Sequence, residues 1–252
     1  MRIDLNSDLG EGYGAYRMGD DAALLAIVTS ANVACGLHAG DPEIMARCFA
    51  TAKARGVAVG AHPGFPDLWG FGRRPMPFTA PEIERLVAYQ VGAAQALASY
   101  AGHQISYVKA HGALANLAAA EPDVAVALAS AIRAVDSRLA LLAIALSEQG
   151  KAGEAAGLDV YVEVFADRGY TEEGGLVARG EPGALIADAD EAAERALAMV
   201  EAGAIVTRSG ARLRTPIHSI CVHGDSEHAV ATARAVRDRL VGAGVVLAPF
   251  RP

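Results

Sequence analysis

Short apolar runs alternate with longer stretches of helical period along the chain. Arg2–Asn6, Ile27–Ala34, Val57–Ala61, Ile105–Lys109, Leu139–Ala143, Val160–Phe165 and Ser219–Val222 read as strands, with Val245–Ala248 an eighth candidate. Between them, Pro42–Arg55, Ala80–Ala101, Pro122–Val135, Asp188–Ala202 and Ser226–Ala243 carry the spacing of helices. Pro42, Pro81 and Pro122 stand where a first helical turn tolerates proline. Gly56, Gly102, Gly203 and Gly244 stand where a left-handed cap ends a helix. Strands separated by helices imply a parallel sheet, closed or doubly wound. Ala204–Thr215, centred on Ser209-Gly210, reads as a small hairpin inserted before the seventh strand. No linker or shift in composition divides residues 1–252, so one domain is expected.

The polar positions on these strands change the picture. In the first strand Ile3 and Leu5 share one face and Asp4, Asn6 and Asp8 the other, because side chains alternate with period two. A parallel strand is covered on both sides, so the polar face must look into a wet interior such as a barrel mouth. The second strand runs into Asn32 and His38, the third into His62, and the fourth into Lys109 and His111. The sixth delivers Glu163, Asp167 and Arg168, and the seventh His223 and Asp225. In a β/α barrel such strand ends converge on one face, where active sites are built. Each residue alone also reads as a hydrogen-bonded core histidine or a surface lysine; six strand ends together favour a site. The proline- and glycine-rich loop Gly60–Phe78 carries Trp69, Phe71, Arg73 and Arg74. It reads as a substrate wall or as a structural flap or subunit contact.

Composition narrows the function. Of 252 residues, 52% are hydrophobic and 20% charged, enough apolar side chain for one large core. A net charge of −7 without any basic run argues against nucleic acid. The longest apolar run, Leu139–Leu146, is far below the roughly 20 residues of a membrane span. Three scattered cysteines build no disulfide framework, and Met1–Asn6 has no signal-peptide core, so a cytoplasmic protein is expected. Phosphate-loop, dinucleotide, nucleophile-elbow and zincin-helix motifs are all absent.

The strings Asp4-Leu5-Asn6-Ser7-Asp8-Leu9-Gly10-Glu11, Asn32 to Pro42, and Gly60-Ala61-His62-Pro63-Gly64-Phe65-Pro66-Asp67 resemble the LamB/YcsF family. So do Gly70-Phe71-Gly72-Arg73-Arg74, Val108-Lys109-Ala110-His111-Gly112, Glu163 to Arg168, and Cys221-Val222-His223-Gly224-Asp225, in family order over nearly the whole chain. Three positions depart from the family pattern: Ser7 replaces a usual Cys, Ala110 a Pro and Ala115 a Tyr. None removes an ionisable member of the cluster.

The resemblance implies a distorted seven-stranded β/α barrel similar to the glycoside hydrolase/deacetylase superfamily. It also implies work as the A component of an ATP-dependent 5-oxoprolinase with separate B and C subunits, converting 5-oxoproline to glutamate. No nucleotide motif is recognisable, so ATP is expected mainly on the partner subunits.

Opening the lactam needs a base for water, a donor for developing negative charge, and a cation for the substrate carboxylate. Asp8 or Glu163 would be the base, His62 or His111 the proton shuttle, and Lys109 the oxyanion partner; Asp167 completes the catalytic set. Arg73 or Arg168 would hold the carboxylate, with Asn6, Asn32, His223 and Asp225 lining the substrate site. A second reading is a stand-alone metal-dependent amidohydrolase or deacetylase, with Asp8, His38 and His62 as ligands of a divalent ion. A third is a non-catalytic subunit that organises its partners. Homo-oligomerisation stays open.

Overall fold

The computed structural model describes residues 1–226 and 228–251. Its first half contains β1 (Arg2–Leu9), α1 (Asp21–Leu24), β2 (Ser30–Ala34), α2 (Pro42–Arg55), β3 (Ala58–His62), α3 (Ala80–Tyr100), β4 (Ile105–Val108), α4 (Gly112–Ala120) and α5 (Pro122–Val135). The second half continues with β5 (Ala140–Ile144), α6 (Glu148–Ala155), β6 (Val160–Phe165), α7 (Ala189–Ala202), β7 (Ala204–Val206), β8 (Arg212–Arg214), β9 (Ser219–Val222), α8 (Ala229–Gly242) and β10 (Val246–Leu247). Strands β1, β2, β3, β4, β5, β6 and β9 are parallel neighbours, and β9 pairs back onto β1 to close a seven-stranded barrel. The eighth candidate exists as β10, but it pairs only with Arg2 and Ile3 at the foot of β1 and stands outside the ring. β7 and β8 form the expected antiparallel hairpin.

Helix ends follow the sequence signals. Asp41 caps α2 by accepting from the amides of Glu43 and Ile44, and Gly56 closes it in the left-handed region at φ 67°. Thr79 and Glu82 form a capping box at the start of α3. The second strand is shorter than its apolar run, because Ile27 and Val28 pack in the turn after α1 instead of pairing. Helices α4 and α6 are short, and their alanine- and glycine-rich sequences hid their period. The expected helix from Ser226 starts at Ala229, and Glu227 lies outside the described residues.

The side chains of β1 sort as the period of two demands. Leu5 and Leu9 are buried among core apolar residues that also include Val87, Leu128, Leu197 and Val236 of α3, α5, α7 and α8. Asp4, Asn6 and Asp8 are equally buried, but among polar residues. Hydrogen bonds stack these interior side chains in layers. Asp4 Oδ1 accepts from Thr29 and Ser30 at 2.6 Å, and its other oxygen accepts from Ser219. One layer up, Asn6 Oδ1 accepts from Asn32 at 2.7 Å, and Asn32 Oδ1 accepts from Tyr107 at 2.7 Å. Tyr107 can lie across the barrel because β3 has Gly60 there; a Cβ at that position would sit 2.3 Å from the tyrosine ring. A small apolar plug of Tyr107, Ala140 and Leu142, backed by Tyr161 and Phe250, fills the end where β5 and β6 begin. Among the described residues no single helix is long and apolar enough to cross a membrane.

Candidate functional site

The upper layer of the barrel holds most of the chemistry. Lys109, one residue beyond β4, places Nζ 2.9 Å from Asp8 Oδ1 and 3.1 Å from Glu163 Oε2. Asn6 Oδ1 at 3.3 Å and Cys221 Sγ at 3.0 Å complete its surroundings. All three charged groups are at most 5% exposed. Burial works against the charge on Lys109, yet Asp8, Cys221 and Glu163 outweigh it and hold the ammonium well above its ordinary pKa. Burial likewise pushes Asp8 up, but His62 and Lys109 win and hold it well below the carboxylate range. Glu163 goes the other way. Burial, joined by the field of Asp8, raises it to about 7 against the help of Lys109 and Asn6. Its Oε1 has no hydrogen-bond partner among the described residues.

Beside this group lie three histidines delivered by β2, β3 and β4. His62 Nδ1 is 2.8 Å from the Lys109 carbonyl, and His111 Nε2 is 2.8 Å from the Phe71 carbonyl. His38 stacks on His111 with ring centroids 3.7 Å apart, and neither of its ring nitrogens has a hydrogen-bond partner among the described residues. Burial above all keeps His38 and His111 well below the ordinary histidine pKa, so both are neutral. Glu11, in the turn after β1, approaches His111 at 3.7 Å. Burial and the negative fields of Asp8 and Asp225 raise its pKa well above normal.

The Gly60–Phe78 loop is built onto this cluster. Gly72 adopts φ 63°, and a Cβ there would come within 2.7 Å of His38 and 2.9 Å of His111. Phe71, at φ 54°, is held in the same turn with its ring edge-on to both histidines. Asp67 binds Arg74 through a forked contact and accepts from the Gly70 amide, tying the loop to itself. A cavity of about 270 Å³ opens beside the loop. Glu11, His38, Phe71, Tyr13, Tyr16 and Trp69 contribute to its wall. It reaches the histidine cluster, while Asp8, Lys109 and Glu163 lie deeper. Trp69 is 97% exposed at the rim.

The remaining sequence candidates divide into two kinds. His223 and Asp167 are joined by a ring-nitrogen contact of 2.9 Å, and His223 stacks on Phe165. Burial would raise Asp167, but His223 brings its pKa below normal. Arg73 and Asp225 form a half-exposed ion pair of 2.6 Å, with Arg73 over the Phe71 ring. Arg168 is held by backbone. Its guanidinium donates to the carbonyls of Ala184 and Val177 at 2.9 and 2.7 Å, so it fastens the segment 171–187.

The expected metal set also changes. The donor atoms that lie within 4.8 Å of one another belong to Glu11, His38, His62 and His111. Asp8 is 3.5 Å from His62, but its Oδ1 is already occupied by Lys109 and Asn32 at 2.9 Å each. Sequence reading passed over Glu11 because it follows the strand by two residues, inside a glycine-rich turn. The turn itself was the available signal, since Gly10 (φ 70°) redirects the chain so that Glu11 points inward.

Comparison with known proteins agrees with this architecture. A protein of Azorhizobium caulinodans, named as the A component of 5-oxoprolinase, is 64% identical over 99% of both chains. One of Gluconobacter oxydans with the same name is 59% identical over 97% of this chain and 96% of its own length. The crystal structure of a lactam utilization protein from Thermus thermophilus superposes with a TM-score of 0.93 at 42% identity, covering 99% of this chain and all of that one. The catalytic domain of a peptidoglycan N-acetylglucosamine deacetylase from Eubacterium rectale, 12% identical, shares the barrel at a TM-score of 0.54 over 100% of this chain and 90% of its own. The LamB/YcsF sequence profile matches residues 3–252, and the chain belongs to that family.

Proposed function

We propose that this chain is the A component of an ATP-dependent 5-oxoprolinase and that it hosts the opening of the lactam ring. Relatives at 64% and 59% identity carry that name, and their designation as one component of an enzyme supports partner proteins, here B and C subunits. The observation that carries the reading is the buried Lys109, held between Asp8 and Glu163 at 2.9 and 3.1 Å beside a histidine pair. A lactam is a poor electrophile, and phosphorylation of its oxygen by ATP makes it a good one. The chain has no recognisable phosphate loop, so activation belongs to the partners and water attack to this barrel.

Each part of that step has a group suited to it. Asp8, kept ionised, accepts a proton from water. Lys109 stays cationic and stabilises negative charge as it develops on oxygen. Arg73, the half-exposed guanidinium near the histidines, binds the substrate carboxylate in exchange for Asp225. His223 and Asp167 form a second proton-handling pair at the rim.

The test is glutamate release from 5-oxoproline and ATP, with this chain mixed with purified B and C subunits or left alone. Release only from the full mixture is expected, and Asp8→Asn should abolish it while leaving the fold intact. Full activity of that variant would remove Asp8 from the mechanism.

One observation favours a second reading, a metal-dependent amidohydrolase. The Glu11, His38, His62 and His111 donors fit a divalent cation, and such an ion, when bound, supplies Lewis acidity or a water of lowered pKa. Turnover of a small amide by the isolated chain, without ATP, would favour it.

A further inference from the structure

A carbonyl oxygen only accepts hydrogen bonds, so each histidine beside one must present an N–H to it. His62 therefore carries its proton on Nδ1, facing Lys109, and His111 carries its proton on Nε2, facing Phe71. The remaining nitrogens, His62 Nε2 and His111 Nδ1, then face each other across 3.0 Å as two lone pairs. Two lone pairs at that distance repel unless something electron-poor lies between or beside them. His38 adds a buried ring with no partner for either nitrogen, and Glu11 adds a carboxylate.

These four side chains offer one donor atom each within a span of 4.8 Å. Donors about 2.0–2.1 Å from a tetrahedral ion stand roughly 3.3 Å apart, so the cluster must contract to close on one. The His38 ring, stacked on His111 with an interplanar angle of 5°, must also turn its lone pair toward the ion. Histidine ligands of metals are oriented through hydrogen bonds from the far ring nitrogen to a carbonyl or carboxylate, which is the role the Lys109 and Phe71 carbonyls fill here. A shared proton between His62 and His111 would relieve only that pair. It would leave the His38 nitrogens unmet.

We propose that Glu11, His38, His62 and His111 form a four-donor site for a first-row transition dication of the zinc and cobalt kind. Three imidazoles and one carboxylate favour such ions over magnesium and calcium, which take oxygen donors. Asp8 stays outside the ligand set and serves Lys109. The Phe71 carbonyl makes the Gly60–Phe78 loop part of the site, so the ion also pins that loop beside the cavity.

The site stands apart from the 5-oxoprolinase reading, because its test measures binding. Full-length protein stripped with a chelator would be titrated with cobalt(II), followed by visible absorption, and with zinc(II) against a chromophoric chelator. Uptake of one ion per chain is expected, undisturbed by excess magnesium. His38→Ala and Glu11→Gln should each weaken it by at least roughly tenfold, as loss of a direct ligand must do no less than loss of an outer partner. Near-UV circular dichroism identifies a variant that has not folded, and the other variant then decides. Absence of stoichiometric uptake by the wild-type chain would overturn the proposal and leave a shared proton as the occupant. So would folded variants that both bind like wild type.

Discussion

Asp8 and Lys109 meet at 2.9 Å inside the barrel, and neither is more than 5% exposed. Such a pair is stable only as a pair, because removing one charge leaves the other buried without compensation. Lys109→Met should abolish lactam opening and destabilise the fold by about 3–5 kcal/mol. Much of that loss comes from Asp8 left without its cation and from Glu163, already raised to about 7 beside Lys109, taking up a proton that the unfolded chain would release. Adding Glu163→Gln to Lys109→Met should therefore recover stability relative to the single change, as chemical denaturation would register. A double variant less stable than the single would show that Glu163 has no part in that loss.

Burial first, and then the field of Asp8, lift the Glu163 carboxyl to about 7. The pH profile of kcat/KM for glutamate release should bend near pH 7, and Glu163→Gln should remove that bend. Superimposable profiles would place the proton of Glu163 outside the reaction.

The closed barrel was legible in the sequence because each strand carried its own evidence: apolar runs of strand length, proline-led helices, glycines in the left-handed region. The buried polar layer was legible for the same reason, since Asp8, Lys109 and Glu163 sit at or near strand ends where period two fixes their direction. The directions of Arg168 and Glu11 were not legible because loops, not strands, aim them. A guanidinium can satisfy backbone carbonyls as well as a carboxylate, and only the path of segment 171–187 decides which it finds. The eighth candidate is a strand, and its place outside the ring has a geometric reason. Its pattern was right, but seven strands had already closed the ring when β9 reached β1.

Asp4 makes stability depend on pH. Burial raises its pKa from 3.8 to about 6 despite three hydroxyl donors, so the folded state holds its proton where the unfolded chain has released it. The Asp4 contribution to stability accordingly falls as pH rises from about 4 to about 6, by roughly 3 kcal/mol in all, and is flat above. Asp4→Asn has nothing to ionise. Its unfolding free energy should lack this slope, which urea titrations at several pH values would reveal; an unchanged slope would assign the dependence to another group.

Arg168 holds two carbonyls that flank a surface loop. Arg168→Ala leaves the Val177 carbonyl without its donor and the Ala184 carbonyl with only the Gly169 amide, and should cost about 1–3 kcal/mol. It should also speed protease cleavage within 171–187, and Arg168→Lys, which cannot fork to both carbonyls, should restore little. A raised KM with unaltered cleavage would instead return Arg168 to the substrate.

The centre of this barrel is a lattice of hydrogen bonds where most barrels are filled with hydrocarbon. Apolar packing degrades gradually: a smaller side chain leaves a void that neighbours partly close. A lattice has no such tolerance, because each member is donor or acceptor to the next, and one altered residue strands several others. Sequence drift in this protein should therefore be confined to the outer shell of helices, while the axis from Asp4 through Asn6, Asn32 and Tyr107 to Asp8 changes only by several residues at once. Any engineer wishing to retune the interior would have to replace a whole layer together.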